Sequence, residues 1–509
     1  MKRHRTRFLM IQGTASGVGK SRIVEALCRI SSDRGIRVAP FKAQNMALNS
    51  AVTWDGGEIG RSTAQHALAA RTRAQVEMNP LLLKPKTDTL AQLIVMGKPY
   101  GDFTAADNFR KALKLTRFKR QIVRKSLKKL VRQFELVIIE GAGSPAEINL
   151  RPFDIVNMDV AKPLRAPVFL VADIDKGGSI ASLVGTLALL RPSERKLVKG
   201  FILNKFRGDK SLLDPALSFL HRETEKPVLG VIPFYRGLDR LAEEDALAYE
   251  VAGDPNPDID IAVIYHPHIA NFTDFSPLAM EPGVRLRYVR TPEHLGDSNA
   301  ILLPGTKNTS DDLMHLRKVG FFQAIVSRAK KGTPVVGICG GYQMMGKKLL
   351  DPSHLESEAS ESEGLGLLET ETIFRSDKRT TPVVAIPVGG SPFLMNKNFR
   401  IYGYEIHHGS TKRLDHLRPA FQFATDGKTK TPDGAVSQNG LIFGTYLHDL
   451  FSDDLFRRNF VNVLREKKGL AALNLPLVNI REETEKTVDE WASVVAKNLD
   501  ISQLLSFKN

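Results

Sequence analysis

The chain has 509 residues, 42% apolar and 25% charged, and 72 Lys and Arg outnumber 56 Asp and Glu for a formal net charge of +16. That length suggests two to four domains of roughly 100–200 residues, and the balance excludes wholesale disorder. No run reaches the ~18 apolar residues of a membrane span, and two cysteines, Cys28 and Cys339, exclude a disulfide framework or a cysteine zinc cluster.

The N-terminal Met1–Arg7 is basic, but the apolar run behind it, Phe8 to Ile11, is too short for a signal peptide, so a cytoplasmic protein is expected. The positive excess favours polyanionic partners, either nucleic acid, nucleotide phosphates or a polycarboxylate substrate. Much of it sits in Arg110 to Arg132, read as a solvated helix face. No aromatic-interleaved basic motif or finger is present, so neither nucleic acid nor membrane is expected as a partner.

Six short apolar runs alternate with helical stretches over the first ~250 residues: 7–12, 37–41, 136–140, 167–173, 200–204 and 227–232. This alternation predicts an α/β domain with a doubly wound parallel sheet. Behind the first run comes Gly13-Thr14-Ala15-Ser16-Gly17-Val18-Gly19-Lys20-Ser21 and then a helical stretch. Strand, glycine loop, Lys-Ser and helix form a phosphate loop, in which backbone N–H groups and the helix N-terminus attract phosphate oxygens. Gly13, Thr14, Gly17, Val18, Gly19, Lys20 and Ser21 are therefore expected to bind ATP, with Lys20 on the outer phosphates and Ser21 on Mg²⁺. The spacing is one residue longer than the usual pattern. Cys28 lies mid-helix among Ala26, Leu27 and Ile30 and reads as core.

Ligands of parallel sheets gather at the carboxyl ends of strands. Lys42 and Glu140 end two of them and are expected to face the nucleotide, Glu140 as a Mg²⁺ ligand. Asp173 and Asp175 end another and read equally as metal ligands or caps of the next helix. Asp55 is a weaker metal candidate, and Asn204 is placed to read the adenine edge.

Asp254-Pro255-Asn256-Pro257-Asp258 reads as a linker, so residues 1–253 are assigned to the first domain. A second alternating series follows at 260–265, 285–288, 300–303 and 334–338, predicting another doubly wound α/β domain over 254–460. Within it, the Ser- and Glu-rich Asp351 to Gly364 reads as an exposed mobile loop. Residues 461–509 read as a helical C-terminal tail without an assigned role.

Cys339 follows the run 334–338 inside Gly337-Ile338-Cys339-Gly340-Gly341, with a helical stretch behind it. This is a nucleophile elbow bearing sulfur. The flanking glycines permit the strained turn, and the helix N-terminus would favour thiolate. The N–H of Gly340 can stabilise an oxyanion, and the turn Leu303-Pro304-Gly305-Thr306-Lys307 can donate another from Gly305. A thiolate needs a base. His448 ends one strand and His407 and His408 end another, and spacing alone leaves these sites tied. His266, His268, His315 and His354 read as structural or exposed.

A phosphate loop and a thiol elbow in one chain suggest that ATP activates an acceptor while the thiol releases ammonia from an amide donor. At this point the sequence resembles the cobyric acid synthase family. Besides the phosphate loop, the strings Phe41-Lys42-Ala43-Gln44-Asn45-Met46, Asp55–Arg61, Glu140–Glu147, Leu303–Lys307, Gly337–Gln343 and Gly444–His448 carry it, from about residue 8 to 460. The resemblance implies a dethiobiotin-synthetase-like ATP domain followed by a class I glutamine amidotransferase domain. It implies ATP- and Mg²⁺-dependent amidation of carboxylates b, d, e and g of adenosylcobyrinic acid a,c-diamide in cobalamin biosynthesis, with glutamine as ammonia donor. It also resolves the histidine tie toward His448. Asp449 and Leu450 stand where full amidotransferase triads carry Pro-Glu, so the resemblance implies a Cys–His dyad of Cys339 and His448, without an assigned group to orient the imidazole. The alternatives are cobyrinic acid a,c-diamide synthase, which shares both domain types, and a partitioning-type ATPase switch, disfavoured by Thr14 and by Cys339.

Overall fold

The computed structural model describes residues 6–86, 89–104, 109–240, 251–357, 359–395, 399–414, 416–425 and 430–507. Met1 to Arg5 of the basic N-terminus and Glu358 of the Ser/Glu-rich segment lie outside the described residues.

The first sheet has six parallel strands in the spatial order Val228–Pro233, Val198–Phe206, Val168–Asp173, Arg7–Gly13, Leu136–Glu140 and Val38–Lys42. These are the six expected runs, with ends moved by one or two residues. Both faces are covered, as a parallel sheet requires. The strand period of two sends Leu9, Ile11, Ile138 and Phe169 to one apolar cluster and Met10, Ile139, Val168 and Leu170 to the other. The helix Lys20–Asp33 packs on the first face.

The C-terminal segment completes that same face. Helix Ile480–Asn498 lies against Lys20–Asp33, burying Val488, Trp491 and Val495 in the cluster. Trp491 Nε1 donates to Arg22 O at 2.6 Å, and Leu499 bridges to Gly230. Of the segment read as a tail, the part from Ile480 onward is thus a core element of the nucleotide domain, whereas Val461 and Leu464, in the helix Asp454–Lys467, are buried in the core of the second domain.

The second sheet has the order Val251–Gly253, Val284–Val289, Ile259–Ile264, Ala300–Leu303, Val335–Ile338, Ile442–Thr445 and Ala435–Val436. Its central five strands are parallel and its two edges antiparallel. Val251–Gly253 already pairs with Val284–Val289, so this sheet begins before Asp254–Asp258, which forms a turn inside it.

Two mixed, mainly antiparallel layers lie outside the expected pattern. One centres on the long strands Thr370–Pro387 and Ile401–Arg413. The former contains Arg375, Asp377, Lys378, Arg379 and Pro382, a polar composition with an internal proline that masks a strand in sequence. The other contains Gln44–Met46, Leu81–Pro85, Leu90–Val95 and Lys98–Thr104 and extends the nucleotide domain. The described residues of the Ser/Glu-rich segment are largely exposed, as expected, and carry specific hydrogen bonds. The buried Asp351 carboxylate accepts from the backbone N–H groups of Leu355, Glu356 and Ser357, and Glu361–Glu363 pairs with Lys348–Leu350.

The basic segment forms the helix Phe109–Leu130, with ion pairs from Arg120 to Asp159 and from Lys129 to Glu77. Among the described residues no helix is long and apolar enough to cross a membrane.

Candidate functional site

The thiol site is assembled at the carboxyl end of the second sheet. Cys339 leaves the strand Val335–Ile338 with φ 54 and ψ −113, the strained turn expected of an elbow, and enters the short helix Gly340–Met344. A Cβ on Gly340 would lie 2.9 Å from Thr306 N, so only glycine lets the elbow close against the turn at Gly305–Thr306. A Cβ on Gly305 would touch both His448 Cε1 at 3.5 Å and Cys339 Cβ at 3.7 Å. Gly305 therefore sits against both the imidazole and the thiol-bearing residue, and Gly340 packs on the same turn. The thiol donates to Ile406 O at 3.3 Å.

His448 lies just beyond the strand Ile442–Thr445 and bridges to Tyr404. Its Nδ1 sits 2.6 Å from Asp274 Oδ2, and both side chains are buried. The backbone N–H of Asp449 donates to the other Asp274 oxygen at 3.2 Å. Burial works against charging the ring, but the Asp274 carboxylate, by charge and hydrogen bond, and Cys339 beside it push His448 up to about 10. The ring is thus held as imidazolium at neutral pH, facing a pocket it shares with Cys339.

Asp274 was not found by sequence reasoning. It stands 174 residues before His448, in the 3₁₀ segment Phe272–Met280 rather than at a strand end. The one cue is an acidic residue between Phe272 and Phe275, in a stretch otherwise fit for the core. Among the described residues such a buried acid needs a compensating partner, and the partner is His448.

The rival histidines lie inside the strand Ile401–Arg413 rather than at its end. His407 contacts Glu405 Oε2 at 3.2 Å and stacks on Tyr446 with ring centroids 3.6 Å apart. His408 is driven well toward the neutral form, by burial first and then by Lys307 and Lys378. His266 and His268 both reach Asp312, which also accepts from Thr306 Oγ1, so they brace the glycine turn. Gln343 joins Thr309, the His408 carbonyl and Tyr446, fixing the elbow helix.

The same pocket carries charges of both signs. Lys307 is lowered to about 7 by burial and by the nearby cations Lys378 and Lys84, while burial raises Glu356 to about 7. Lys84 comes from the first domain, and Glu58 of that domain pairs with both Lys84 and Lys378. The thiol pocket is therefore completed by the nucleotide domain.

The second site lies at the carboxyl end of the first sheet. Gly17 and Gly19 have φ of 73 and 94, values that favour glycine. A Cβ on Gly13 would lie 2.8 Å from Lys20 Nζ, so the loop wraps its lysine tightly. Lys20 Nζ donates to Ala15 O at 2.9 Å, and Thr14 N donates to Val171 O at 3.0 Å. Ser21 Oγ donates to Glu140 Oε1 at 2.7 Å, and Lys42 Nζ lies 3.1 Å from the same oxygen. Burial would raise the Glu140 carboxyl, but Lys42, His66, the Ser21 hydroxyl and Lys20 hold it below the ordinary range. Its Oε2 is buried and accepts no hydrogen bond among the described residues. A hydroxyl and an ionised carboxylate with a vacant oxygen are the donor set of a Mg²⁺ site beside a phosphate loop, so Ser21 and Glu140 fit that ion.

The remaining candidates sit elsewhere. Asp55 is exposed at the tip of the hairpin between Ser50–Val52 and Glu58–Gly60, accepting from Thr53 Oγ1 at 2.6 Å. The neighbouring Gly56 abuts Thr380 of the second domain. Asn204 Nδ2 donates to Val18 O at 2.9 Å, bracing the loop with the amide expected at the adenine edge. Asp173 pairs with Lys205 and Asp175 with Arg207, and Gly178, not either aspartate, precedes the helix Ser179–Leu189. Cys28 is fully buried, its thiol raised by burial and by Glu25 and Glu140.

Residues 9–248 match the CobQ/CobB/MinD/ParA nucleotide binding domain, and residues 260–456 match the CobB/CobQ-like glutamine amidotransferase domain. The chain is 49% identical to a cobyric acid synthase of Pelotomaculum thermopropionicum over 91% of its own length and 88% of that protein. It is 48% identical to a cobyric acid synthase of Desulforamulus reducens over 97% of both chains. It is 47% identical to that of Moorella thermoacetica over 97% of its own length and 96% of the relative.

Proposed function

The chain belongs to the cobyric acid synthase family, and from that premise we propose that it amidates carboxylates b, d, e and g of adenosylcobyrinic acid a,c-diamide to give adenosylcobyric acid. It is a glutamine-hydrolysing amide ligase of cobalamin biosynthesis. The observation that carries the finer reading is the presence, in one chain, of a buried Cys339–His448–Asp274 array and a Ser21–Glu140–Lys42 array behind a phosphate loop.

In the glutamine half-reaction the Cys339 thiolate attacks the side-chain carboxamide carbon. The N–H groups at Gly305 and Gly340 receive the developing oxyanion. His448, held by Asp274, donates its proton to nitrogen as the C–N bond breaks and ammonia leaves. Water then cleaves the thioester, with His448 as base, releasing glutamate. Lys307 and Glu356 offer the pocket one cation and one acid, matching the two charges of an amino-acid head group.

In the ligase half-reaction a corrin carboxylate attacks the γ-phosphorus of ATP, and ADP leaves. Lys20 and Lys42 stabilise the negative charge, and the loop amides hold the phosphates. Ser21 and Glu140 would hold Mg²⁺, which would add to the neutralisation of that charge. Ammonia then attacks the acyl phosphate carbon and inorganic phosphate departs, leaving the amide.

The test is incubation of the protein with ATP, Mg²⁺ and glutamine and, separately, adenosylcobyrinic acid a,c-diamide or cobyrinic acid, with amides counted by mass. Four amidations of the diamide are expected. Amidation of cobyrinic acid at a and c, with the diamide left untouched, would assign the chain to the sister enzyme.

A further inference from the structure

The helix Arg61–Ala69 touches both reactive centres. At its first residue, Arg61 reaches across to the second domain. Its Nη2 lies 3.0 Å from Asp449 Oδ1, and its Nη1 donates to Tyr404 Oη at 3.3 Å. Both partners belong to the immediate surroundings of the glutaminase base. Tyr404 stacks on the His448 ring with centroids 5.2 Å apart and an interplanar angle of 16°, and the Asp449 N–H donates to Asp274.

Five residues along the same helix, roughly 7.5 Å of axial rise, His66 Nδ1 lies 3.8 Å from Glu140 Oε2, the vacant oxygen of the nucleotide site. His66 is buried, and burial first, then Lys42 and Arg22, keep it toward the neutral form despite Glu140 and Glu25. A second link joins the same helix end to the nucleotide side. The buried Asn79 amide donates to Lys42 O at 3.0 Å and accepts from Gly60 N at 2.9 Å, immediately before Arg61.

We propose that this nine-residue helix is the coupling element between the two half-reactions: occupation of the nucleotide site, sensed at Glu140 and Lys42, sets through Arg61 the position of Asp449, Tyr404 and hence His448. Arg61 is a positioning residue in this account, acting on the base through its neighbours. The inference rests on the proposed function, because it needs two cooperating sites. A short helix is a suitable carrier, since its backbone hydrogen bonds make both ends move as one body.

The experiment compares the full-length protein with Arg61→Ala and Asp449→Asn. Three rates are measured: glutamine hydrolysis alone, glutamine hydrolysis with ATP, Mg²⁺ and the corrin diamide, and amidation driven by free ammonia. In the natural protein, ATP with diamide is expected to raise the kcat of glutamine hydrolysis on the order of tenfold. Both variants should lose that stimulation, so that hydrolysis with ATP and diamide equals hydrolysis of glutamine alone, with ammonia-driven amidation within about twofold of the natural protein. Retained ammonia-driven amidation shows that a variant is folded, and Asp449→Asn serves if Arg61→Ala is not. Stimulation intact in the variants, or basal and stimulated hydrolysis lowered by the same factor, overturns the inference. Absence of ammonia-driven amidation in the natural protein would instead sink the functional reading beneath it.

Discussion

Replacing Asp274 by Asn keeps the shape beside His448 and removes the charge. The carboxylate lies 2.6 Å from Nδ1, with both groups buried, so little water screens the interaction. Moving an imidazole from its ordinary 6.5 to about 10 corresponds to roughly 5 kcal/mol in favour of the charged ring. That figure is the net of a burial cost and the attraction of Asp274 and Cys339, so Asp274 accounts for most of the favourable part. Without it the ring should revert toward neutral imidazole, and Asn would also favour the wrong tautomer. Loss of the acid from a triad costs up to about 10⁴ in kcat, and a fall of ~10³-fold in glutamine hydrolysis is expected here.

The assay is glutamate release as a function of pH, run beside ammonia-driven amidation. A raised histidine pKa keeps the ring charged through neutrality and loses the charge as pH rises through about 10. The natural protein should therefore hold its glutaminase activity to high pH, whereas Asp274→Asn should begin to lose its residual activity near the ordinary histidine range. Stability has the same sign. The contribution from this pair is complete below about 6.5 and disappears toward 10. Unchanged glutamine turnover in Asp274→Asn, or an unchanged pH profile, would refute the assignment. So would equal loss of the ammonia-driven reaction.

Cys339→Ala should abolish glutamine-driven amidation and leave the ammonia-driven reaction, read as product mass with each nitrogen source. Glu140→Gln removes the carboxylate charge beside Ser21 and Lys42, so amidation should fall about a hundredfold with either nitrogen source while basal glutamine hydrolysis persists, read as ADP and glutamate release. Trp491→Ala should destabilise the nucleotide domain by roughly 3–5 kcal/mol, seen as a lower denaturation midpoint. Its indole is buried against the helix Lys20–Asp33 and holds Arg22 O.

The parallel strands of the two sheets were legible because buried parallel strands are uninterrupted apolar runs, as in Leu136–Glu140 and Val335–Ile338. The antiparallel strand Thr370–Pro387 was not, since charged residues and Pro382 break its alternation. The role of Ile480–Asn498 was hidden for another reason. A helix with one apolar stripe does not say which sheet it covers, and this one returns past an entire domain to the first.

The active groups divide along the same line. Lys20, Ser21 and Cys339 were identified from sequence because their chemistry depends on backbone turns encoded by adjacent glycines, which are local. Glu140 and Lys42 followed from their places at strand ends. Asp274 against His448, Arg61 against Asp449 and Lys84 in the thiol pocket were decided only by folding. Each is a contact between residues far apart in the chain, and a charge finds its partner through burial and distance, neither of which a linear spacing records.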